Sequence, residues 1–160
     1  MQQSVIFEHK VLGSLVLIRD DVTSAMAVYS LPSESGREAG GILLGSYRGP
    51  HVDVVACTGP IALDRRGVFF FDRQDPGHQE IAMRYWQCSG GRVTCVGEWH
   101  THPADEAIPS RVDRATWRDQ VQTADAPRVY VIVGRKAIWC GVGLRFHAVS
   151  EAQRISDPET

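Results

Sequence analysis

Between Gly97 and Asp113 the chain reads GEWHTHPADEAIPSRVD. His100 and His102 stand two residues apart in an apolar run, and side chains two apart on an extended backbone point to one face. Imidazole is the commonest metal ligand. A strand presenting two of them, joined by the carboxylate of Asp113, makes a three-ligand set with a fourth position left for water, the open arrangement of a catalytic zinc site. Glu98 shares the histidine face, whereas Trp99 and Thr101 share the other.

Ser110-Arg111-Val112-Asp113 admits two readings. Ser-x-x-Asp at a helix start resembles a capping box, in which Ser110 bonds the first turn and Asp113 complements the helix dipole. In the other reading Asp113 faces the histidines as the third ligand, and the two are compatible in part, with Ser110 opening the helix and its hydroxyl left beside the site. A hydrolytic site also needs a group to take the proton from water, and Glu38 and Glu98 are the two available carboxylates. Glu98, one pleat before His100, is placed to orient an imidazole from behind. Glu38 directly precedes the strand-like AGGILLG, where packing does not explain a carboxylate; read as an ordinary carboxylate it is a solvated strand-end charge.

The elements that must position these groups follow from pattern. Val5 to Glu8 and Val11 to Arg19 read as paired strands. Asp20 and Asp21 offer an N-cap and negative charge for a helix over about 21–31, closed by Pro32 and the SESG cluster. Arg37 to Pro50 and His51 to Ile61 read as a hairpin across Arg48-Gly49-Pro50. GVFFF, Gly67 to Phe71, reads as a further strand with its aromatic cluster in the core, Phe70, on the opposite face from Phe69 and Phe71, having a binding surface as its alternative place. His78 to Cys88 has helical spacing and stops at Ser89-Gly90-Gly91. Val93 to His102 is a strand, Ser110 opens a helix ending near Ala126-Pro127, and Arg128 to Gly134 and Ala137 to Phe146 are the last strands. The pattern predicts a single α+β domain over residues 1–150, a mixed β-sheet flanked by helices, with a frayed tail over 151–160.

Composition sets the class. The chain has 160 residues, 43% of them hydrophobic and 22% charged, which suits one soluble globular domain. A formal net charge of −2 gives no case for nucleic acid or an anionic membrane as partner. No apolar run nears the ~20 residues of a membrane span, and the N-terminus lacks a signal-peptide pattern, so a cytoplasmic location is expected. Cys57, Cys88, Cys95 and Cys140 form no close pair and read as buried or half-buried small apolar residues.

Glu38, then His100-Thr101-His102-Pro103, six residues, then Ser110-x-x-Asp113, together resemble the JAMM motif of MPN-domain metallopeptidases. Glu38 to Gly45, EAGGILLG, also resembles the glutamate-bearing strand of that family. The resemblance implies an MPN-type, cytidine-deaminase-like fold. It implies zinc held by His100, His102 and Asp113, with Glu38 as general base and then acid, and Ser110 assisting at the carbonyl oxygen. The activity implied is hydrolysis of an amide, often an isopeptide bond. GEWHTHP, the preceding Ser-Gly-Gly and the following PSRVDRATWR look like a bacterial branch of JAMM proteins found in CBASS anti-phage operons. Its members remove targets from the C-terminus of a conjugated cGAS-like nucleotidyltransferase. Processing of another bacterial ubiquitin-like or sulfur-carrier protein is the alternative substrate, and a non-catalytic MPN scaffold the alternative class. Glu98 departs from the apolar residue of many eukaryotic members. The strand edges near Phe69 to Phe71 and the loop Ala104 to Pro109 are the expected grips for an extended substrate tail.

Overall fold

A computed structural model describes residues 3–31 and 36–155. The elements run β1 (Val5–His9), β2 (Ser14–Ile18), α1 (Asp20–Ala27), a 3₁₀ turn (Val28–Ser30), β3 (Gly40–Arg48), β4 (His51–Cys57), β5 (Arg65–Arg66) and β6 (Phe71–Asp72). There follow α2 (Gly77–Cys88), β7 (Thr94–Thr101), α3 (Arg111–Val121), β8 (Arg128–Val133), β9 (Ile138–Leu144) and β10 (His147–Arg154).

The expected α+β domain with a mixed sheet is present, and the sheet closes on itself in the order β1-β10-β9-β8-β7-β3-β4-β2. Six of its pairings are antiparallel, while β2 with β4 and β7 with β8 run parallel. Parallel neighbours need a crossover, and α3 is the crossover from β7 to β8. Closure leaves an interior face packed with Val16, Ile18, Leu43, Val54, Val96, Trp99, Val131 and Val142. A second cluster on the outer face joins Trp117 and Val121 of α3 to Tyr130, Ile132, Trp139 and Val149. Trp117 stacks on Trp139 at 5.5 Å and tilts on Tyr130 at 4.8 Å, which pins α3 against β8 and β9. Because Trp99 points inward, strand alternation sends Glu98 and His100 outward, to the face α3 lies on.

Several expectations change. The segment 67–70 is not a core strand but the tip of a small hairpin between β5 and β6, closed by Gly67 N–H donating to the Phe70 carbonyl at 2.9 Å. Phe69 is 89% and Phe70 49% exposed, so those rings are surface. Residues 151–154 are not frayed: they complete β10, whose Phe7↔Arg154 pairing with β1 closes the barrel. Residues 156–160 and 32–35, where the predicted helix stop begins, lie outside the described residues. Asp20 and Asp21 occupy the first turn of α1 rather than its cap, which falls at Arg19 without a side-chain bond. Cys88 is exposed, unlike the buried Cys140 and the intermediate Cys57 and Cys95. The hairpin at Gly49-Pro50 is as expected, Gly49 taking φ +58° in the left-handed region.

Candidate metal centre

The local structure of β7 places the histidines. β7 is central, pairing antiparallel with β3 and parallel with β8. Gly97 is required there, because a Cβ would lie 1.7 Å from the Val129 carbonyl oxygen. His100 and His102 point to one side, their Nε2 atoms 3.0 Å apart. Asp113 comes from the first turn of α3, its Oδ1 3.2 Å from His100 Nε2 and its Oδ2 3.2 Å from His102 Nε2. Three ligand atoms so close, two of them imidazole nitrogens facing each other, form a set that could hold one metal ion.

The capping box of Ser-x-x-Asp forms, and the capped Asp113 carboxylate also lies beside both imidazoles. Ser110 is the N-cap of α3: its Oγ accepts from Asp113 N–H at 3.0 Å, and its own N–H donates to Asp113 Oδ2 at 2.8 Å. The reciprocal bonds fix the Asp113 carboxylate while both oxygens still reach the imidazoles. A hydroxyl that accepts from the backbone keeps its proton for another partner, and Ser110 lines the same cleft as the histidines. Burial would push the Asp113 carboxyl up, but bonds from His100 and His102 hold it well below the ordinary carboxylate range. For His102 burial works against the charged form, yet the Asp113 carboxylate raises its pKa above the usual value.

Glu38 is 8% exposed, so it is not a solvated strand-end charge. Glu38 lines the same cleft as His100, His102 and Asp113. Burial raises its pKa, and the charges of His100 and His102 oppose that rise. The register Gly40↔His100 sets Glu38 just beyond the end of β3, opposite the ligand strand. Its backbone is held from both sides. Glu38 N–H donates to the Gly67 carbonyl at 2.7 Å, and Arg66 Nε donates to the Glu38 carbonyl at 2.9 Å. On the other side Ala39 N–H donates to Thr101 Oγ1 at 2.9 Å, and Thr101 N–H returns to the Ala39 carbonyl at 2.8 Å.

Two structural contributors escaped the sequence reading. Thr101, between the two histidines but on the buried face, clamps the glutamate segment; a hydroxyl forced inward by alternation needs a partner, which was the available signal. The second is Asp64. Its Oδ1 accepts from Gln74 N–H and Asp75 N–H, each at 2.9 Å, and its Oδ2 accepts from Ile61 N–H at 2.8 Å and pairs with His78 Nε2 at 2.7 Å. His78 Nδ1 in turn meets Thr58 Oγ1 at 2.7 Å. This buried knot ties the neck of the loop that carries the β5–β6 hairpin, and no local pattern announces it.

The cleft measures about 830 Å³. The hairpin segment from Phe69 to Arg73 forms one wall, and Val112, Thr116 and Gln120 of α3 form the other, over a floor of Glu98 and His100. Of the expected tail grips, 69–71 lines this cleft, and of the 104–109 loop only Ala104 does. Glu98 does not orient an imidazole: its bonds run to Arg73 and Gln120. No helix among the described residues is long and apolar enough to cross a membrane.

Comparison with known proteins agrees with this geometry. Residues 20–143, which contain Glu38, His100, His102, Ser110 and Asp113, match the family described as prokaryotic homologs of the JAB domain. A CD-NTase/cGAS isopeptidase of Pseudomonas aeruginosa is 44% identical over 109 residues, covering 67% of this chain and 69% of the relative. A CD-NTase/cGAS isopeptidase of Vibrio cholerae is 35% identical over 127 residues, covering 79% and 81%. The solution structure of a Desulfitobacterium hafniense protein shares the fold, with a TM-score of 0.59 at 23% identity over 83% of this chain and 86% of that one. The chain belongs to the family of prokaryotic homologs of the JAB domain.

Proposed function

We propose that this chain is a zinc-dependent isopeptidase. It hydrolyses the amide bond between the C-terminus of a conjugated cGAS-like nucleotidyltransferase and its target, within CBASS anti-phage defence. The observation that carries the reading is the convergence of His100, His102 and Asp113 on one cleft with the buried carboxylate of Glu38. The donor set suits zinc: ligands ~2.0–2.1 Å from a tetrahedral ion stand about 3.3 Å apart, and the three separations here are 3.0, 3.2 and 3.2 Å. Relatives named as CD-NTase/cGAS isopeptidases support the substrate class.

When bound, zinc supplies a Lewis acid that polarises a carbonyl and lowers the pKa of a coordinated water to ~7. Glu38 takes the proton from the attacking water and returns it to the leaving amine. Its desolvated position suits the first step, since a raised pKa makes the carboxylate a better base. The Ser110 hydroxyl, its lone pair engaged by Asp113 N–H, donates to the carbonyl oxygen as negative charge develops there. Losing such a donor costs about 10²–10³ in kcat in comparable sites. His100, His102 and Asp113 would hold the ion, the Asp113 carboxylate being kept in place by the Ser110 N–H.

The test combines metal analysis with cleavage of a nucleotidyltransferase conjugate by purified protein. The expected result is about one zinc per chain, loss of cleavage with chelator, recovery on zinc addition, and loss of cleavage in Glu38→Ala with zinc retained. Protein that purifies without zinc and ignores chelator refutes the reading, and undiminished cleavage by Glu38→Ala refutes the assigned base.

A further inference from the structure

Glu98 has no part in the chemistry above, yet it occupies the floor of the same cleft. Its flanking register partners are Ile42 on β3 and Tyr130 on β8, both buried, so an apolar residue would pack there as well. Its side chain is only 18% exposed, and a carboxylate so far withdrawn from water is costly unless it has partners. Those partners come from both walls. Arg73 Nη1, on the hairpin side, donates to Oε2 at 2.9 Å. Gln120 Nε2, on α3, approaches Oε1 at 3.5 Å, and Tyr130 OH donates to Gln120 Oε1 at 2.9 Å, which turns the amide nitrogen toward Glu98. The carboxylate is therefore oriented in advance. Two donors leave unused part of the roughly four lone-pair sites that a carboxylate offers.

Position and charge give it a use. Glu98 and His100 are two residues apart on one strand face, about 6.7 Å, which is the advance of two residues in an extended peptide. A substrate tail lying along the cleft with its scissile bond at His100 thus brings its second residue over Glu98. The charged residues lining the cleft are Glu38, Asp72, Arg73, Glu98 and Asp113. A divalent ion offsets Glu38 and Asp113, leaving Asp72 and Glu98 against the single cation of Arg73. The walls also carry open apolar side chains, with Phe69 89% and Val112 74% exposed, and apolar contacts select side-chain charge poorly.

We propose that Glu98 is a specificity-determining residue of this cleft, a carboxylate subsite, positioned by Arg73 and Gln120, that selects a basic side chain two residues from the scissile bond. The inference rests on the function proposed above. Lys or Arg in that place donates to the free lone pairs of Glu98, whereas an acidic side chain meets like charge.

Zinc-loaded Glu38→Gln protein separates binding from catalysis. Fluorescein-labelled tail peptides carrying a single Lys, Gln or Glu at each of the two residues on either side of the scissile bond are titrated by anisotropy. Cleavage of the conjugate by the unsubstituted enzyme is followed in parallel. The expected result is Lys bound at least about tenfold more tightly than Glu at one second-residue position, in line with the cost of like-charge contact. In Glu98→Gln, on the same background, that ratio collapses toward one. The inference is overturned by equal binding of Lys and Glu peptides, by no peptide binding at all, or by a ratio unchanged in Glu98→Gln, which would leave Glu98 only holding the hairpin wall. Conjugate cleavage alongside any of those outcomes leaves the proposed function standing; absence of cleavage is the failure of that function.

Discussion

Thr101→Val tests whether β7 positions Glu38, the proposed general base. The substitution keeps the shape of a buried side chain, 3% exposed, and removes the oxygen that accepts Ala39 N–H at 2.9 Å. That N–H is then buried without its acceptor, at a cost of about 1–3 kcal/mol. For a domain of this size each kcal/mol shifts Tm by roughly 2–4 °C, so a fall of about 4–8 °C is expected at the middle of the range. The released N–H is that of the residue after Glu38; on the β7 side only the Thr101 N–H bond to the Ala39 carbonyl then remains, while the tethers to Gly67 and Arg66 lie on the hairpin side. Displacement of a catalytic group by ~1 Å can cost ~10² in rate, so kcat should fall about tenfold to a hundredfold with KM little changed. The assays are thermal denaturation, zinc content and steady-state cleavage. Zinc should be retained, because neither histidine loses a direct partner, and Thr101→Ser, which restores the hydroxyl, should recover both Tm and kcat. If Thr101→Val kept a kcat within about twofold of the unsubstituted enzyme and an unchanged Tm, the clamp would have no role. If Ser and Val substitutions were equally impaired, the hydrogen bond would not be the cause.

Two other expectations concern titrating groups. The Asp64 carboxyl, which burial alone would raise, is held below the ordinary range by the N–H groups of Asp75, Ile61 and Gln74 and by His78. A depressed carboxyl contributes stability that is present above its unfolded value of ~3.9 and lost as pH falls through the folded value. Asp64→Asn should therefore lower Tm at pH 7 but narrow the gap from the unsubstituted protein on acidification below ~3.9; a constant gap by pH-dependent denaturation would refute the knot's electrostatic part. In chelator-treated protein the raised His102 contributes stability that is present below ~6.5 and lost as pH rises through its folded value. Tm should then decline between about pH 6 and pH 8 without metal and rise over the same window with zinc, because ligation needs neutral imidazole. The same slope in both states would contradict the ligand assignment.

Much of the centre was legible because its determinants are local. Strand alternation alone put His100 and His102 on one face, and a capping pattern alone put Asp113 at the start of a helix. The choice between cap and ligand was not local: it needed α3 packed on β8 and β9 through Trp117, which carries the capped carboxylate over the histidines. Glu38 stood out as a candidate base by its place before AGGILLG, but only the resemblance tied it to the histidines, since no periodicity links it to a strand so far along the chain. The β3–β7 pairing, with Gly40 opposite His100, is what joins them. The hairpin wall was misread because β5 and β6 have two residues each, too short to show a period, and GVFFF looks like core until the turn at Gly67 exposes it. β10 was missed because it is a mostly exposed, polar strand, and its partner β1 lies at the far end of the chain. The sequence by itself thus determined the kinds of groups and the faces they occupy, which depend on neighbours within four residues. Tertiary structure alone decided which faces meet, because long-range pairing and barrel closure reflect the burial of the whole core rather than any one segment.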